Sequence, residues 1–159
     1  MIELRKFQEP DFNDCAKLFL KVFSGEPWYD KWESIDTVKK YLGEFTVNPM
    51  FKGFVAIEKN RIVGVCFGHK RSYWRAPEFQ IDEMYVDPVI QGEGVGTKLI
   101  GFVKDYLKNV GIDNFVLITG KDLPAENFYV KNGFYRNDSI ILMNYEGKCN
   151  NQLGATIDK

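Results

Sequence analysis

The sequence predicts one α/β domain in which helices flank a mixed sheet. The chain has 159 residues, the length of a single domain, and 45% of them are hydrophobic, enough to fill one substantial core. Periodicity gives the order strand, two helices, three strands, and then helix, strand, helix and strand. No repeat or linker interrupts this order, so we expect residues 1–146 to form the domain and residues 147–159 a polar, frayed tail.

The first half of the chain starts a sheet and then places two helices on it. Alternating polarity predicts a strand over residues 2–7, and Pro10 opens a helix with a regular apolar stripe. Ser34 is the predicted N-cap of the second helix, because serine side chains accept hydrogen bonds from first-turn amides. Residues 54–58 and 61–68 then read as two strands of a hairpin, joined by a two-residue turn.

The second half of the chain alternates strands with helices. Asp87-Pro88 ends the strand over residues 78–86, since proline cannot extend a β ladder. The helix that follows runs to about Val110, where Gly111 is a natural stop. The remaining predicted elements are a strand over 114–119, a helix over 124–132 and a strand over 139–145.

Composition and charge exclude several classes of protein. The formal net charge is -1 and the pI is about 5.9, without the basic excess that nucleic-acid binding requires. The apolar runs are too short to span a bilayer, and the chain opens without an apolar signal segment. Three scattered cysteines fit no disulfide framework or metal-ligand spacing, which indicates a reducing compartment and no metal site. We therefore expect a cytoplasmic enzyme or binding protein.

A glycine-rich segment between a strand and a helix carries the strongest functional signal. It consists of Gln91, Gly92, Glu93, Gly94, Val95, Gly96 and Thr97. Glycines let the backbone turn tightly there, so that amide groups at a helix N-terminus converge on a phosphate or pyrophosphate. A P-loop needs a lysine after its last glycine, and a dinucleotide fingerprint needs Gly-x-Gly-x-x-Gly; neither spacing is present.

The pattern Gln/Arg-x-x-Gly-x-Gly/Ala does fit, at Gln91, Gly94 and Gly96, and a second motif lies downstream. Residues 125–134 have the form Ala-x-x-Phe-Tyr-x-x-x-Gly-Phe. With residues 81–88 as the preceding strand, these motifs resemble the GCN5-related N-acetyltransferases over nearly the whole chain. The resemblance implies a central strand that splays from its neighbour, and acetyl-CoA as the donor substrate.

The resemblance also implies which residues hold acetyl-CoA. The pantetheine arm would lie in the gap beside the splayed strand, where it would pair with exposed main chain. The main-chain contacts would come from Met84, Tyr85 and Val86. Residues 91–97 would hold the pyrophosphate. The family often has asparagine where this chain has Asp122, so Asn127 is the alternative source of an amide contact.

Acetyl transfer to an amine needs a base for the ammonium group and an acid for the leaving sulfur. The resemblance makes Tyr129 the acid, because the family places this tyrosine beside the CoA sulfur. Glu83 is our candidate base, although Gln80 stands where other members have their glutamate. The only histidine, His69, is expected to be solvated or structural.

Strand alternation predicts which of these side chains share a face. Glu83 and Asp82 should point opposite ways, so that at most one of them enters the acceptor pocket. On this reading, one face of the central strand carries Phe79, Ile81, Glu83 and Tyr85.

Aromatic and acidic residues near the expected acceptor groove indicate a cationic amine, bound by cation–π contact and charge. The candidates are Trp28, Tyr29, Asp30, Trp32, Trp74 and Asp82. The Pro-Trp pair ahead of a second tryptophan is similar to aminoglycoside 6'-acetyltransferase-like members, so an aminosugar or polyamine is the predicted acceptor. A protein or peptide acceptor and a non-catalytic CoA-binding sensor remain alternatives. Members of the family often pair as homodimers.

Overall fold

The computed structural model describes residues 1–147 and builds them around one five-stranded sheet. Its strands are β1 (Glu3–Lys6), β2 (Phe51–Glu58), β3 (Arg61–Ser72), β4 (Pro77–Val86) and β5 (Asn114–Leu117). Strands β1 to β4 are antiparallel neighbours in chain order, and β5 runs parallel to β4. The helices are α1 (Phe12–Phe23), α2 (Ile35–Thr46), α3 (Val95–Lys108) and α4 (Pro124–Lys131). The predicted α/β fold with a mixed sheet is confirmed.

Helices cover both faces of the sheet and bury an apolar core on each. On one face, Phe19 of α1 and Leu42 of α2 share a buried cluster with Phe67 of β3. On the other face, Leu99 of α3 shares a second cluster with Phe79 of β4, and α4 packs against it. A residue of β4 therefore faces one helical layer or the other. None of the helices in residues 1–147 is long and apolar enough to cross a membrane.

Local sequence signals set several element boundaries as predicted. The Ser34 hydroxyl accepts a hydrogen bond from a first-turn amide, which confirms this residue as the N-cap of α2. Lys59 and Asn60 have φ values of 49° and 59° and form the two-residue turn between β2 and β3. Helix α3 ends at Lys108, slightly earlier than expected, and Gly111 follows with φ of 80°.

Strand β4 parts from β5 halfway along its length. Only residues 78–81 pair with β5, which ends at Leu117, two residues before the predicted end. Residues 82–86 have no strand partner on that edge within residues 1–147, although they border β3 on the other edge. The gap exposes main-chain N–H and C=O groups to which a ligand can bind.

An extra residue in β4 changes which way its side chains face. Consecutive residues of β3 lie opposite Glu83 and Ile81, so that Asp82 has no opposite residue. Such a β-bulge interrupts the strict alternation of faces along a strand. Gly68 makes this bulge possible, because a Cβ atom there would lie 2.3 Å from the Gln80 carbonyl oxygen.

The bulge overturns one prediction about β4. Phe79 and Ile81 pack in the cluster of α3, whereas Tyr85 packs in the cluster of α1 and α2. Glu83 also faces α2, where it accepts a hydrogen bond from the Tyr41 hydroxyl. The prediction that Phe79, Ile81, Glu83 and Tyr85 share one face is therefore wrong, because the extra residue reverses the alternation.

The last predicted strand does not form. Residues 139–145 lie outside the sheet, and their large apolar side chains are 68–94% exposed: Ile140, Ile141, Leu142, Met143 and Tyr145. The segment has the pattern of a strand, but a strand is stable only beside a partner, and no strand of the described chain pairs with it. Apart from Gly147, the predicted tail lies outside the described residues.

Candidate active site

A cleft of about 370 Å³ opens where β4 and β5 part. Its walls come from β4, the end of β5, the start of α4 and the chain around the end of α1. The lining residues are Phe23, Trp28, Ile81, Asp82, Glu83, Met84, Leu117, Ile118, Thr119, Gly120, Ala125 and Tyr129. Five residues singled out from the sequence therefore line one cleft: Trp28, Asp82, Glu83, Met84 and Tyr129.

The glycine segment forms the start of α3, as its position between strand and helix predicts. Gly92 and Gly94 have φ values of 87° and 80°, and a Cβ atom at either would meet no atom within 4 Å. Gly94 is the N-cap, so the first-turn amides of α3 have no acceptor inside the helix. Open space, free amides and the positive end of a helix dipole together suit a phosphate or pyrophosphate.

The other residues of the segment support the turn. The Gln91 amide donates to the Val86 carbonyl oxygen at 3.0 Å, and Val95 is buried under the helix start. Gly96 serves packing, since a Cβ atom there would lie 3.0 Å from the Phe128 ring of α4. Glu93 and Thr97 are exposed.

The free edge of β4 offers its main chain to the gap, because its side chains are engaged elsewhere. Met84 packs in the cluster of α3 and also lines the cleft. Tyr85 is buried on the opposite face, and its hydroxyl donates to the Cys15 carbonyl oxygen at 3.0 Å. Val86 packs with the buried Val95. A ligand in the gap would therefore meet these residues chiefly through N–H and C=O groups.

Glu83 is a carboxyl of the cleft whose pKa is shifted. Its pKa is raised to about 7, chiefly by burial and also by the negative charges of Asp82 and Asp30. The hydrogen bond from the Tyr41 hydroxyl opposes that rise. A carboxyl with a pKa near neutrality can both accept and release a proton under physiological conditions.

Asp82 and Glu83 both line the cleft, together with their neighbours Ile81 and Met84. That at most one of the two carboxylates points into the acceptor pocket stays a prediction. The bulge places Asp82 outside the normal alternation of the strand. Asp82 contacts His69 of β3, with 2.7 Å between its Oδ2 and the imidazole Nδ1. The sequence analysis missed this pair, because it depends on a bulge that no local pattern reveals.

Tyr129 lies on α4, on the side of the cleft where β5 ends. Its ring stacks edge-on against Phe128 and Phe134, with centroids 5.2 and 5.3 Å apart. Burial raises the pKa of the Tyr129 hydroxyl well above its ordinary value, with smaller contributions from Cys66 and Glu83. The phenol is therefore neutral at physiological pH and can donate a proton.

Two residues considered for an amide contact lie apart from the cleft lining. Asn127 is exposed on α4. Asp122, with φ of 61°, pairs with the Arg136 guanidinium at 2.8 Å. Neither residue is among those that line the cleft.

The predicted acceptor aromatics occupy three different settings. Trp28 lines the cleft beside Phe23. Trp32 packs between Phe19 and Tyr41 as part of the apolar core, and its buried indole N–H has no hydrogen-bond partner among residues 1–147.

The remaining predicted acceptor residues are at the surface. Tyr29 and Asp30 are exposed in the loop after α1. Trp74 is 76% exposed in the turn between β3 and β4, where the Arg75 guanidinium lies 4.8 Å from its ring. Trp74 is not part of the cleft lining. Within residues 1–147, no three histidine, cysteine or acidic side chains are grouped so that they could hold a metal ion.

Comparison with known proteins agrees with this architecture. The model of the acetyltransferase (GNAT) family matches residues 6–134, and the chain belongs to this family. An uncharacterized N-acetyltransferase of Methanocaldococcus jannaschii is 28% identical over 150 residues. That match covers 86% of this chain but only 62% of the relative's length.

Solved structures share the fold at low sequence identity. An aminoglycoside acetyltransferase from an uncultured soil metagenomic sample, in complex with sisomicin, superposes with a TM-score of 0.73 at 22% identity. The match covers 92% of this chain and 97% of that one. Aminoglycoside acetyltransferase AAC(6')-Iy, in complex with a bisubstrate analogue, gives a TM-score of 0.70 at 17% identity, over 94% and 99% of the two chains.

Proposed function

We propose that the protein transfers the acetyl group of acetyl-CoA to a primary amine of a small cationic acceptor, an aminosugar or a polyamine, by direct attack in a ternary complex. One observation carries the proposal. A carboxyl with a pKa of about 7, Glu83, lines the same cleft as a neutral phenol, Tyr129, beside the free edge of β4. Base and acid are the two groups that this reaction requires.

The residues present fit acetyl-CoA as the substrate that supplies the acetyl group. Open space beside Gly92 and Gly94 leaves the first amides of α3 accessible to a pyrophosphate. The unpaired main chain of residues 84–86 suits the amides of a pantetheine arm. These two features lie at opposite ends of the connection between β4 and α3.

Two residues carry the protons. Glu83, when ionised, accepts the proton that the acceptor ammonium must lose before it can attack. Tyr129 donates its hydroxyl proton to the leaving sulfur as the C–S bond breaks, and the second proton that the amine nitrogen loses on forming the amide restores the Tyr129 hydroxyl. Because burial keeps Tyr129 neutral, the proton is available throughout the physiological range.

Charge and family resemblance support a cationic acceptor. Asp82 and Glu83 line the cleft, and Asp30 is close enough to raise the pKa of Glu83. Trp28 adds an aromatic wall against which a cation can stack. The aminoglycoside acetyltransferase that shares this fold was solved with sisomicin, an aminosugar ligand of that protein.

A thiol-release screen tests the function. Acetyl-CoA is offered with aminoglycosides, polyamines, amino acids and short peptides, and free CoA is measured. We expect turnover with an aminosugar or polyamine. Turnover with peptides alone would contradict the acceptor class. Thermal stabilisation by acetyl-CoA without turnover of any amine would instead indicate a CoA-binding sensor.

We also propose that two copies of the chain associate in the cytoplasm. Residues 139–145 present an unpaired strand-like segment, and the outer edge of β5 is unpaired within the described chain. An open sheet edge and an unpaired strand are complementary, so two copies can each supply what the other lacks. Cys15 and Cys66 are buried free thiols, which suits a reducing compartment.

A further inference from the structure

We propose that His69 is a positioning residue whose Nδ1–H holds the Asp82 carboxylate in the cleft, where it binds the ammonium group of the acceptor while Glu83 takes the proton. The inference rests on the proposed amine acetyl transfer. It assigns separate tasks to two neighbouring carboxylates and gives a role to the chain's only histidine.

The bulge leaves Asp82 in need of such support. A strand residue that pairs with an opposite residue is positioned by that pairing. Asp82 has no opposite residue on β3 and lacks this support. His69 lies on the adjacent strand, and its Nδ1 is 2.7 Å from the Asp82 carboxylate. The side chains of His69 and Asp82 are only 23% and 10% exposed, so the contact is sheltered from water.

The hydrogen bond determines the tautomer of the ring. An ionised carboxylate only accepts hydrogen bonds, so the contact requires a hydrogen on Nδ1. The neutral ring then carries no hydrogen on Nε2, which has no hydrogen-bond partner among residues 1–147. In this form the histidine orients Asp82 without cancelling its charge.

The kind of partner distinguishes the cleft acids from four other sheltered acids of the described chain. Each of those four carboxylates faces an arginine or lysine: Asp11 with Arg5, Glu78 with Arg71, Asp87 with Lys21 and Glu126 with Arg136. The Asp82 carboxylate is instead hydrogen-bonded to the imidazole of His69, and the Glu83 carboxyl accepts a hydrogen bond from the phenol of Tyr41. Neither carboxyl contacts an arginine or lysine among residues 1–147, which leaves both available to a cation that enters the cleft.

Three substitutions of His69 separate positioning from other roles. The Asn side-chain amide can place an N–H near the position of Nδ1, whereas the Gln amide reaches the position of Nε2. We compare His69→Asn, His69→Gln and His69→Leu by steady-state kinetics at pH 8, with sisomicin or spermidine as the acceptor. Each variant is first checked for an unchanged thermal shift with acetyl-CoA, which shows that it is folded.

We expect His69→Leu and His69→Gln to raise the KM of the amine by about tenfold, the effect of losing one charge-assisted hydrogen bond. Their kcat and their KM for acetyl-CoA should change by less than about threefold, and His69→Asn should restore the KM of the amine. A variant series in which kcat falls and the KM of the amine does not change would overturn the proposal. Equal defects in His69→Asn and His69→Leu would also overturn it.

A measurement without turnover tests the pair even if no amine is acetylated. The single histidine gives one pair of ring nitrogen signals in ¹⁵N NMR, whose shifts report the tautomer. We expect hydrogen on Nδ1 in the wild type and a mixed tautomer in Asp82→Ala. Nε2-protonated or mixed signals in the wild type would refute the geometry. Wild-type signals as expected, with no amine turnover in the screen, would contradict the proposed function but not the pairing.

Discussion

Replacing Glu83 with glutamine should change the pH dependence of stability by an amount that follows from the structure. The pKa of this carboxyl is raised from 4.5 to about 7, chiefly by burial. At about 1.4 kcal/mol per pH unit, ionising the group in the folded protein costs roughly 3 kcal/mol more than in the unfolded chain. Glutamine has the same shape, accepts the Tyr41 hydrogen bond and cannot ionise.

The sign follows from the direction of the shift. Below about pH 4.5 the Glu83 carboxyl is protonated in both the folded and the unfolded chain, and the contribution of the protonated carboxyl to stability is fully present. As the pH rises through about 7, the folded protein also loses the proton and that contribution disappears. Glu83→Gln should therefore gain roughly 3 kcal/mol relative to wild type between pH 4.5 and pH 8.

Denaturant unfolding, followed by tryptophan fluorescence at several pH values, measures this difference. Subtracting the free energy of unfolding of the wild type from that of Glu83→Gln removes the titration of every other group. Glu44→Gln, an exposed change on α2, is the matched control and should follow the wild type at all pH values. If the free energy of unfolding of Glu83→Gln varied with pH in parallel with that of the wild type, the raised pKa of the buried Glu83 carboxyl would be refuted.

Four further changes test other parts of the site. Gly94→Asp should abolish thermal stabilisation by acetyl-CoA, because a charged side chain would fill the open space at the start of α3; Gly101→Asp, in the same helix with equally open surroundings, should preserve it. Tyr129→Phe should lower kcat about 100-fold with little change in the Kd of acetyl-CoA, and an unchanged kcat would remove it from the mechanism. Tyr41→Phe should move the acidic limb of the kcat/KM profile to higher pH. The hydrogen bond from Tyr41 lowers the pKa of Glu83 in the wild type, so its removal should raise that pKa. A limb that does not move contradicts the coupling between Tyr41 and Glu83. Ile141→Asp should turn a dimer, detected by light scattering after size exclusion, into a monomer of 18.4 kDa, whereas a monomeric wild type would refute the association.

Features that depend on a few neighbouring residues could be predicted from the sequence. The N-cap at Ser34, the turn at Lys59 and Asn60, and the glycine segment before α3 each require only local chemistry. The same holds for the alternation of strands and helices after β4. These elements gave the fold class, and they located the segment that we propose as the phosphate-binding end of the site.

Features that depend on pairing between distant segments could not be predicted. The bulge at Asp82 exists because Gly68 lets two strands approach closely, and neither residue signals it alone. The contact between Tyr41 and Glu83 joins residues far apart in the chain. Residues 139–145 show the opposite limitation, since they have the pattern of a strand but pair with no strand in residues 1–147.

The bulge in β4 makes the site sensitive to the length of the chain as well as to its composition. Loss of Asp82 would restore regular pairing and leave Ile81 and Glu83 on their present, opposite faces, because their β3 partners are already consecutive. It would remove one carboxylate from the cleft lining. Gain or loss of a residue at a paired position, such as between Glu78 and Ile81, would instead move the strand residues on one side of the change to the opposite helical layer. Insertions and deletions in the turn at residues 73–76 disturb no such order. Natural variation in length should therefore concentrate in that turn and avoid the first half of β4.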